Sequence, residues 1–155
     1  MKYVIVKVDD KYTAPSPVNW FGTLDRKSLR KNRITTVTDR LFFSVEKHMQ
    51  MTFTDIITFP CFMVSKVIRD VILKYDPSLK FKKVILFDRE YNESMEYHIP
   101  FLEEIDIQTE KDKIKNKEIM EISDNNHTHI LMRMDLVESI LSRNVTGVGL
   151  DEFQV

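Results

Sequence analysis

The chain has 155 residues, in which 23 Lys and Arg side chains oppose 24 Asp and Glu side chains, so the formal net charge is −1 at pH 7. A chain of this length can bury enough apolar surface to fold as one domain without disulfides or structural metal, and its 43% hydrophobic content excludes global disorder. The near-neutral charge argues against nucleic-acid binding through bulk charge, and the longest uncharged apolar run, residues 56–65, is too short to span a membrane.

The N-terminal third, residues 1–58, contains one predicted strand and a basic segment. Residues 3–8 are rich in Tyr, Val and Ile, which predicts a strand. Residues 25–33 carry five basic side chains and one acidic side chain, a local charge of +4. This segment is either a phosphate-contacting patch or a solvated loop or short helix, and the absence of interleaved aromatic residues favours the second interpretation. The rest of this third is unassigned and is expected to belong to the same domain.

The clearest helix signal lies at residues 66–75. Apolar residues recur there at helical spacing, from Val67 through to Tyr75, and would form one buried stripe. Ser65 is a favourable N-cap, and Pro77 ends the helix because it cannot continue the hydrogen-bond ladder.

Two apolar runs follow this helix. Residues 83–87 and 97–101 each predict a strand. Pro100 indicates an edge strand or a bulge, because proline cannot donate to a sheet ladder. The charge-rich stretch at residues 110–118 is expected to be a solvated loop or surface helix that connects two halves of one domain.

The C-terminal segment repeats the same layout. Residues 128–133 predict a strand, Asp135 is the expected N-cap of a helix over residues 136–143, and a short strand closes the chain. The order strand, cap, helix, turn and strand therefore occurs twice, at residues 61–87 and 128–153. We predict a single α+β domain over the whole chain, with a mixed or antiparallel sheet and two main amphipathic helices.

The sequence contains no strong reactive constellation. Three glycines cannot supply a phosphate-binding loop or a dinucleotide fingerprint. The single cysteine, Cys61, lies in an apolar segment where burial would keep its thiol inert. His127 and His129 could share one face of a strand, but no neighbouring side chain completes a metal site. The sequence therefore predicts no catalytic residue, no metal and no cofactor.

Residues 88–106 form a strongly acidic region of the sequence. Seven acidic side chains against one arginine give this stretch a net charge of −6, and aromatic residues are interleaved with the acids. Such a mixture suits a surface that meets a basic protein partner, and the alternative is a charged hairpin without a partner. We predict that the partner-binding residues are Glu90, Tyr91, Glu93, Glu96, Tyr97, Phe101, Glu103 and Glu104.

Two segments resemble a bacterial family of immunity proteins from polymorphic toxin systems. Residues 62–73, which read Phe-Met-Val-Ser-Lys-Val-Ile-Arg-Asp-Val-Ile-Leu, are similar to the family's short apolar strand, serine and helix. Residues 130–150 are similar to the family's ending, which is a strand, a helix with Asp-Leu-x-Glu-Ser-Ile-Leu, a Gly-Val or Gly-Ile turn and a terminal strand. Together the two segments extend the resemblance over roughly residues 60–155.

The resemblance implies a non-catalytic protein that binds and neutralises a cognate toxin encoded nearby. The composition adds the expectation that neither nucleic acid nor a membrane is a partner. The N-terminus has no export-signal pattern, which predicts a cytoplasmic location. The main alternative is a regulatory or structural protein-binding module. An enzyme, or a nucleic-acid binder acting through residues 26–33, is the third hypothesis.

Overall fold

A computed structural model of the chain describes residues 2–31, 41–46 and 48–154. Within these residues the chain forms ten strands and three α-helices, which confirms the predicted α+β fold. The strands are β1 (Tyr3–Val8), β2 (Leu41–Ser44), β3 (Ile56–Ile57), β4 (Met63–Ser65), β5 (Phe81–Asp88), β6 (Glu93–Pro100), β7 (Glu104–Asp106), β8 (Ile119–Asp124), β9 (His127–Arg133) and β10 (Val148–Glu152). The helices are α1 (Arg26–Lys31), α2 (Lys66–Tyr75) and α3 (Met134–Leu141), and a short 3₁₀ helix spans Lys111–Ile114.

The strands form two mixed sheets of five strands each. Sheet one has the order β10-β1-β9-β8-β7, and sheet two has the order β2-β5-β6-β4-β3. In each sheet one edge strand joins its neighbour in parallel, β7 beside β8 and β2 beside β5. The remaining neighbours are antiparallel. Both sheets are therefore built on the same plan.

The topology confirms the repeated layout that the sequence predicts. β4, α2 and β5 form a β-α-β unit in which β6 lies between the two strands, and β9, α3 and β10 form a second unit with β1 in between. Because each inserted strand is antiparallel to both neighbours, the outer strands of each unit run parallel. β6 follows β5 directly, whereas β1 comes from the opposite end of the chain.

α2 has the bounds that the sequence predicts. The Ser65 hydroxyl oxygen accepts a hydrogen bond from the Ile68 backbone N–H at 3.5 Å, as expected for an N-cap. Ile68 and Ile72 are buried, but Val67, predicted in the same stripe, is 46% exposed. The buried stripe is narrower than predicted because only part of a surface helix faces the core. No helix in the described part of the chain is long and apolar enough to cross a membrane.

α3 begins two residues earlier than predicted and ends at Leu141 instead of residue 143. β9 continues into this helix without a linker, so Arg133 occupies the N-cap position. Asp135, the predicted N-cap, lies inside the first turn, where its carboxylate pairs with Arg133 at 2.7 Å and accepts the Leu136 N–H at 3.0 Å. An acid at this position still stabilises the helix, because the helix N-terminus carries partial positive charge.

One hydrophobic core joins both sheets and both long helices. Ile72 of α2 and Ile140 of α3 belong to it, with 0% and 2% of their surface exposed, and Val6 of sheet one and Val64 of sheet two pack in the same cluster. A smaller hydrophobic cluster covers the outer face of each sheet, which is the face turned away from the common core. The cluster on sheet two includes the fully buried Leu24 that precedes α1. The two β-α-β units therefore share one core and form one domain.

β5 and β6 extend the predicted strands at residues 83–87 and 97–101 into a hairpin with eight residues in each strand. Pro100 is the last residue of β6, and β6 lies between β4 and β5, so the prediction of an edge strand or a bulge is wrong. At the end of a strand the missing N–H of proline costs little, because the ladder stops there. The hairpin also takes in part of the acidic stretch.

Candidate protein-binding surface

The end of the β5–β6 hairpin brings together four of the eight predicted partner-binding residues, which are Glu90, Tyr91, Glu93 and Glu96. The Asp88 carboxylate closes the turn by accepting the Glu90 backbone N–H at 3.0 Å. Tyr91 is 64% exposed, and Glu90 and Glu93 are exposed beside it. The hairpin therefore presents one aromatic ring and several carboxylates at its tip.

One face of the same hairpin, together with β2, carries a partly exposed apolar row. Phe42 of β2 pairs with Ile85 of β5, and Ile85 pairs with Glu96 of β6; Phe87 lies two residues further along β5. Side chains alternate along a strand, so these residues lie on the face opposite the buried Val84 and the smaller cluster that includes Leu24. Phe42 is 60% exposed, and Ile85 and Phe87 are half-buried.

We define the hairpin surface as Phe42, Ile85, Phe87, Glu90, Tyr91, Glu93 and Glu96. The hairpin surface contains three glutamates, and Asp88 beside them is a fourth acid. Lys83 and Arg89 on the same hairpin carry two positive charges, so these six side chains have a net charge of −2. The Arg89 guanidinium lies 5.8 Å from the Phe87 ring centre, within cation–π range. Apolar and aromatic groups beside charged groups are typical of protein–protein interfaces.

Glu96 is held in a charged cluster beside this row. Its carboxylate contacts Lys83 at 3.2 Å and the buried His98 ring at 2.8 Å. Partial burial acts to raise the pKa of Glu96, but the hydrogen bonds from Lys83 and His98 outweigh it and hold the pKa below its usual value. Burial lowers the pKa of His98, the Arg69 charge lowers it further, and Glu96 opposes both effects.

This arrangement predicts a pH dependence of stability. The pKa of His98 is lower in the folded chain than its ordinary value near 6.5. The unfolded chain therefore binds the proton first as pH falls. The free energy of unfolding should thus decrease as pH is lowered through about 6.5 and towards the folded pKa, with a slope of at most about 1.4 kcal/mol per pH unit for one proton.

Denaturant unfolding between pH 5 and about pH 8 measures this slope. His98→Gln should flatten it, and His129→Gln, a change at an exposed histidine of β9, should leave it intact. An unchanged slope in His98→Gln would assign the pH dependence to other groups.

Tyr97 does not belong to the hairpin surface. It is fully buried in the smaller cluster on the outer face of sheet two, where its hydroxyl donates a hydrogen bond to the Thr54 carbonyl oxygen at 2.7 Å. Burial raises the pKa of Tyr97, because an anionic phenolate would lose its hydration. The prediction of a partner-binding role is corrected here to a core role, which follows from the alternation of side chains along the strand.

Phe101, Glu103 and Glu104 also lie away from the hairpin surface. Phe101 is half-buried after the end of β6, on the wall of a cleft between the sheets. Glu103 forms an ion pair with Lys117, and Glu104 forms ion pairs with two arginines of α1. These acids neutralise charges of the same chain, which the sequence does not reveal because their partners are distant along it.

The basic segment is observed as α1 and ends, within the described residues, at Lys31; Arg33 lies outside them. The Arg26 guanidinium lies 2.5 Å from the nearest Glu104 oxygen and 3.4 Å from Glu121, and Arg30 also pairs with Glu104. Two of its arginines are thus engaged within the protein, which supports the short-helix interpretation over a phosphate-contacting patch.

The structure places the other reactive side chains apart from the hairpin surface. Cys61 is buried, and burial, with a smaller effect of the Glu121 charge, raises the pKa of its thiol to about 12. Such a thiol is almost never a thiolate at neutral pH, as expected for a core cysteine. His127 and His129 lie exposed on β9. Among the residues that the structure describes, no group of three or more His, Cys, Asp and Glu side chains could hold a metal ion.

A scan against protein-family models finds no matching family, and a search of curated proteins finds no match.

Proposed function

We propose that the chain is a non-catalytic binding protein that neutralises a cognate bacterial toxin by direct contact in the cytoplasm, as the immunity proteins that it resembles do. The observation that carries the proposal is the row of the exposed Phe42 and the half-buried Ile85 and Phe87, which lies beside carboxylates on the hairpin surface. Contiguous apolar groups exposed on one face of a sheet are typical of surfaces that bind another protein.

The two parts of the hairpin surface have different physical roles in this proposal. Phe42 and Tyr91 are the most exposed aromatic side chains there, and burying such a ring contributes about 1.5–3 kcal/mol to association. The acids Glu90 and Glu93 attract a basic partner, which mainly accelerates encounter and disfavours wrong partners. The paired strands β2, β5 and β6 hold the row in place, so little ordering is needed on binding.

The first test measures the affinity of the purified chain for the protein product of the neighbouring gene. Phe42→Ala and Tyr91→Ala should each weaken binding at least about tenfold, as expected for central aromatic anchors. Phe21→Ala is the matched control, because Phe21 is strongly exposed but is not part of the hairpin surface. Absence of binding by the unaltered chain would refute the immunity assignment.

The second test measures association rates over a range of salt concentrations. Glu90→Lys combined with Glu93→Lys should slow association and weaken its salt dependence while the fold stays intact. Glu138→Lys combined with Glu152→Lys makes the same charge change at exposed acids on α3 and β10, and should have a smaller effect. If both double variants slow association equally and Phe42→Ala keeps its affinity, the proposed function stands, but the toxin binds another surface of the chain.

A further inference from the structure

Strand β10 lies at one edge of sheet one, where β1 is its neighbour. The Asp9 N–H donates to the Gly147 carbonyl oxygen at 2.8 Å, so these two residues form a hydrogen-bonded pair just before β10 begins. Bonded and non-bonded pairs alternate along an antiparallel ladder, so Gly149 and Asp151 also bond to β1. The residues between them therefore turn their backbone groups away from β1.

The outward backbone groups of β10 belong to Val148, Leu150 and Glu152. No hydrogen bond joins these N–H and C=O groups to any other residue that the structure describes. An open row of such groups can pair with another strand, and soluble proteins normally cover it or keep it short.

The other edge strands are shorter, and one of them is closed by the chain itself. β3 has two residues and β7 has three. β2 has four, but the Ser44 carbonyl oxygen accepts the Val18 N–H at 2.8 Å on its outer side, and Pro17 forms a bridge with Val45. β10, with five residues, is thus the longest edge strand in the described part of the chain.

A second copy of the chain fits this edge, because β10 is complementary to itself. Two β10 strands that run antiparallel about a two-fold axis at Leu150 would pair Leu150 with its own copy and Val148 with Glu152 of the second copy. These pairs use the outward groups of both strands, and each pair can exchange two hydrogen bonds. Any other register that joins outward groups forms fewer pairs.

The side chains also suit this register. On the core face, Leu150 is half-buried and lies beside Val6 of its own chain. Contact with Leu150 of the second copy would continue this apolar row across the axis. On the other face, Asp151 would lie opposite Gly149 of the second copy, where the missing side chain leaves room.

The charges are complementary across the same edge. Lys7 pairs with Gly149 in the ladder, and its Nζ lies 3.2 Å from the Asp151 carboxylate of its own chain. In the two-fold pair, Lys7 and Asp151 of the second copy would lie on either side of this glycine, with no side chain between them. No two acids would face each other directly, an arrangement that would disfavour pairing.

We propose that the chain forms a two-fold dimer through β10, in which both copies of sheet one join into one continuous sheet of ten strands. A contact through one five-residue strand is smaller than a standard interface, so the dimer is weak and depends on concentration. β10 belongs to sheet one and the hairpin surface to sheet two, so this inference does not depend on the proposed toxin binding.

Sedimentation velocity of the full chain tests the dimer. The unaltered chain should pass from monomer to dimer as its concentration rises from about 1 to about 500 μM. Asp151→Lys should weaken dimerisation at least about tenfold, because it brings lysines of both copies together. Glu138→Lys makes the same charge change at an exposed acid of α3 and should leave dimerisation unchanged. Circular dichroism checks that both variants are folded.

Three results of this experiment would overturn the proposal. The first is a chain that stays monomeric up to about 500 μM. The second is an equal loss of dimer in Asp151→Lys and Glu138→Lys. The third is a monomeric chain in which Asp151→Lys alone loses affinity for the product of the neighbouring gene, because the edge would then pair with that protein.

Cysteine cross-linking tests the register of the two strands. The two Leu150 Cα atoms would lie about 5.5 Å apart, within disulfide range, whereas the two Asp151 Cα atoms would lie about 9 Å apart, which is too far. Mild oxidation should therefore link Leu150→Cys into a covalent dimer and leave Asp151→Cys monomeric on a non-reducing gel. The native Cys61 is buried and does not compete. Equal cross-linking of the two variants would overturn the proposed pairing.

Discussion

Replacing Ile72 or Ile140 with alanine should lower the free energy of unfolding by about 2–5 kcal/mol. Both side chains are almost completely buried in the core that joins the two sheets and the two long helices. Truncation removes apolar surface from the core and leaves a cavity that the paired strands cannot collapse to fill. Equilibrium denaturation in urea, analysed with a common slope, measures the loss.

Each variant has a control on its own helix. Val67→Ala in α2 and Leu141→Ala in α3 truncate apolar side chains that are partly exposed, and each should cost about 1 kcal/mol or less. A change under about 0.5 kcal/mol in Ile72→Ala or Ile140→Ala would remove that helix from the common core and contradict the single-core description.

Replacing Gly147 with alanine should destabilise the chain by about 2–5 kcal/mol, through two separate causes. Its φ angle of 81° lies in the region that L-residues rarely adopt, and a Cβ there would clash with Thr54 Cγ2. Thr54 cannot move aside easily, because it is fully buried and its hydroxyl donates to the Ile56 carbonyl oxygen at 2.6 Å. The Tyr97 hydroxyl also holds the Thr54 carbonyl.

Gly22→Ala separates these two causes. Gly22 has a similar φ of 89°, but a Cβ there would meet no atom within 4 Å. This variant should lose only the backbone contribution, about 1–2 kcal/mol. Thermal and urea unfolding of both variants give the comparison. Equal losses at the two glycines would show that Thr54 gives way, and that contact between the Gly147 turn and Thr54 is not tight.

Much of the fold is predictable because its signals are local. Ser65 and Pro77 bracket α2 through capping and through the missing N–H of proline, and both effects act over one helical turn. The start of α3 is less predictable. The favoured capping residue Asp135 competes there with the direct continuation of β9 into the helix, and tertiary pairing of β9 with β1 decides the outcome.

The short strands are hard to predict for a different reason. β2, β3 and β7 have four residues or fewer, so no periodicity can develop within them. β8 is longer and alternates between buried and partly exposed residues, but the charged connector before it obscures its start. Each of these strands depends on a neighbour elsewhere in the chain.

The sequence by itself determined the α+β class, the two β-α-β units and the position of the hairpin that carries Glu90, Tyr91 and Glu93, because caps, prolines and apolar spacing act between near neighbours. Only the tertiary structure decided which acids remain on the hairpin surface. It turns Tyr97 into the core and pairs Glu104 with α1. The physical reason is that burial and ion pairing depend on residues brought together from distant parts of the chain, as β2 brings Phe42 to Ile85.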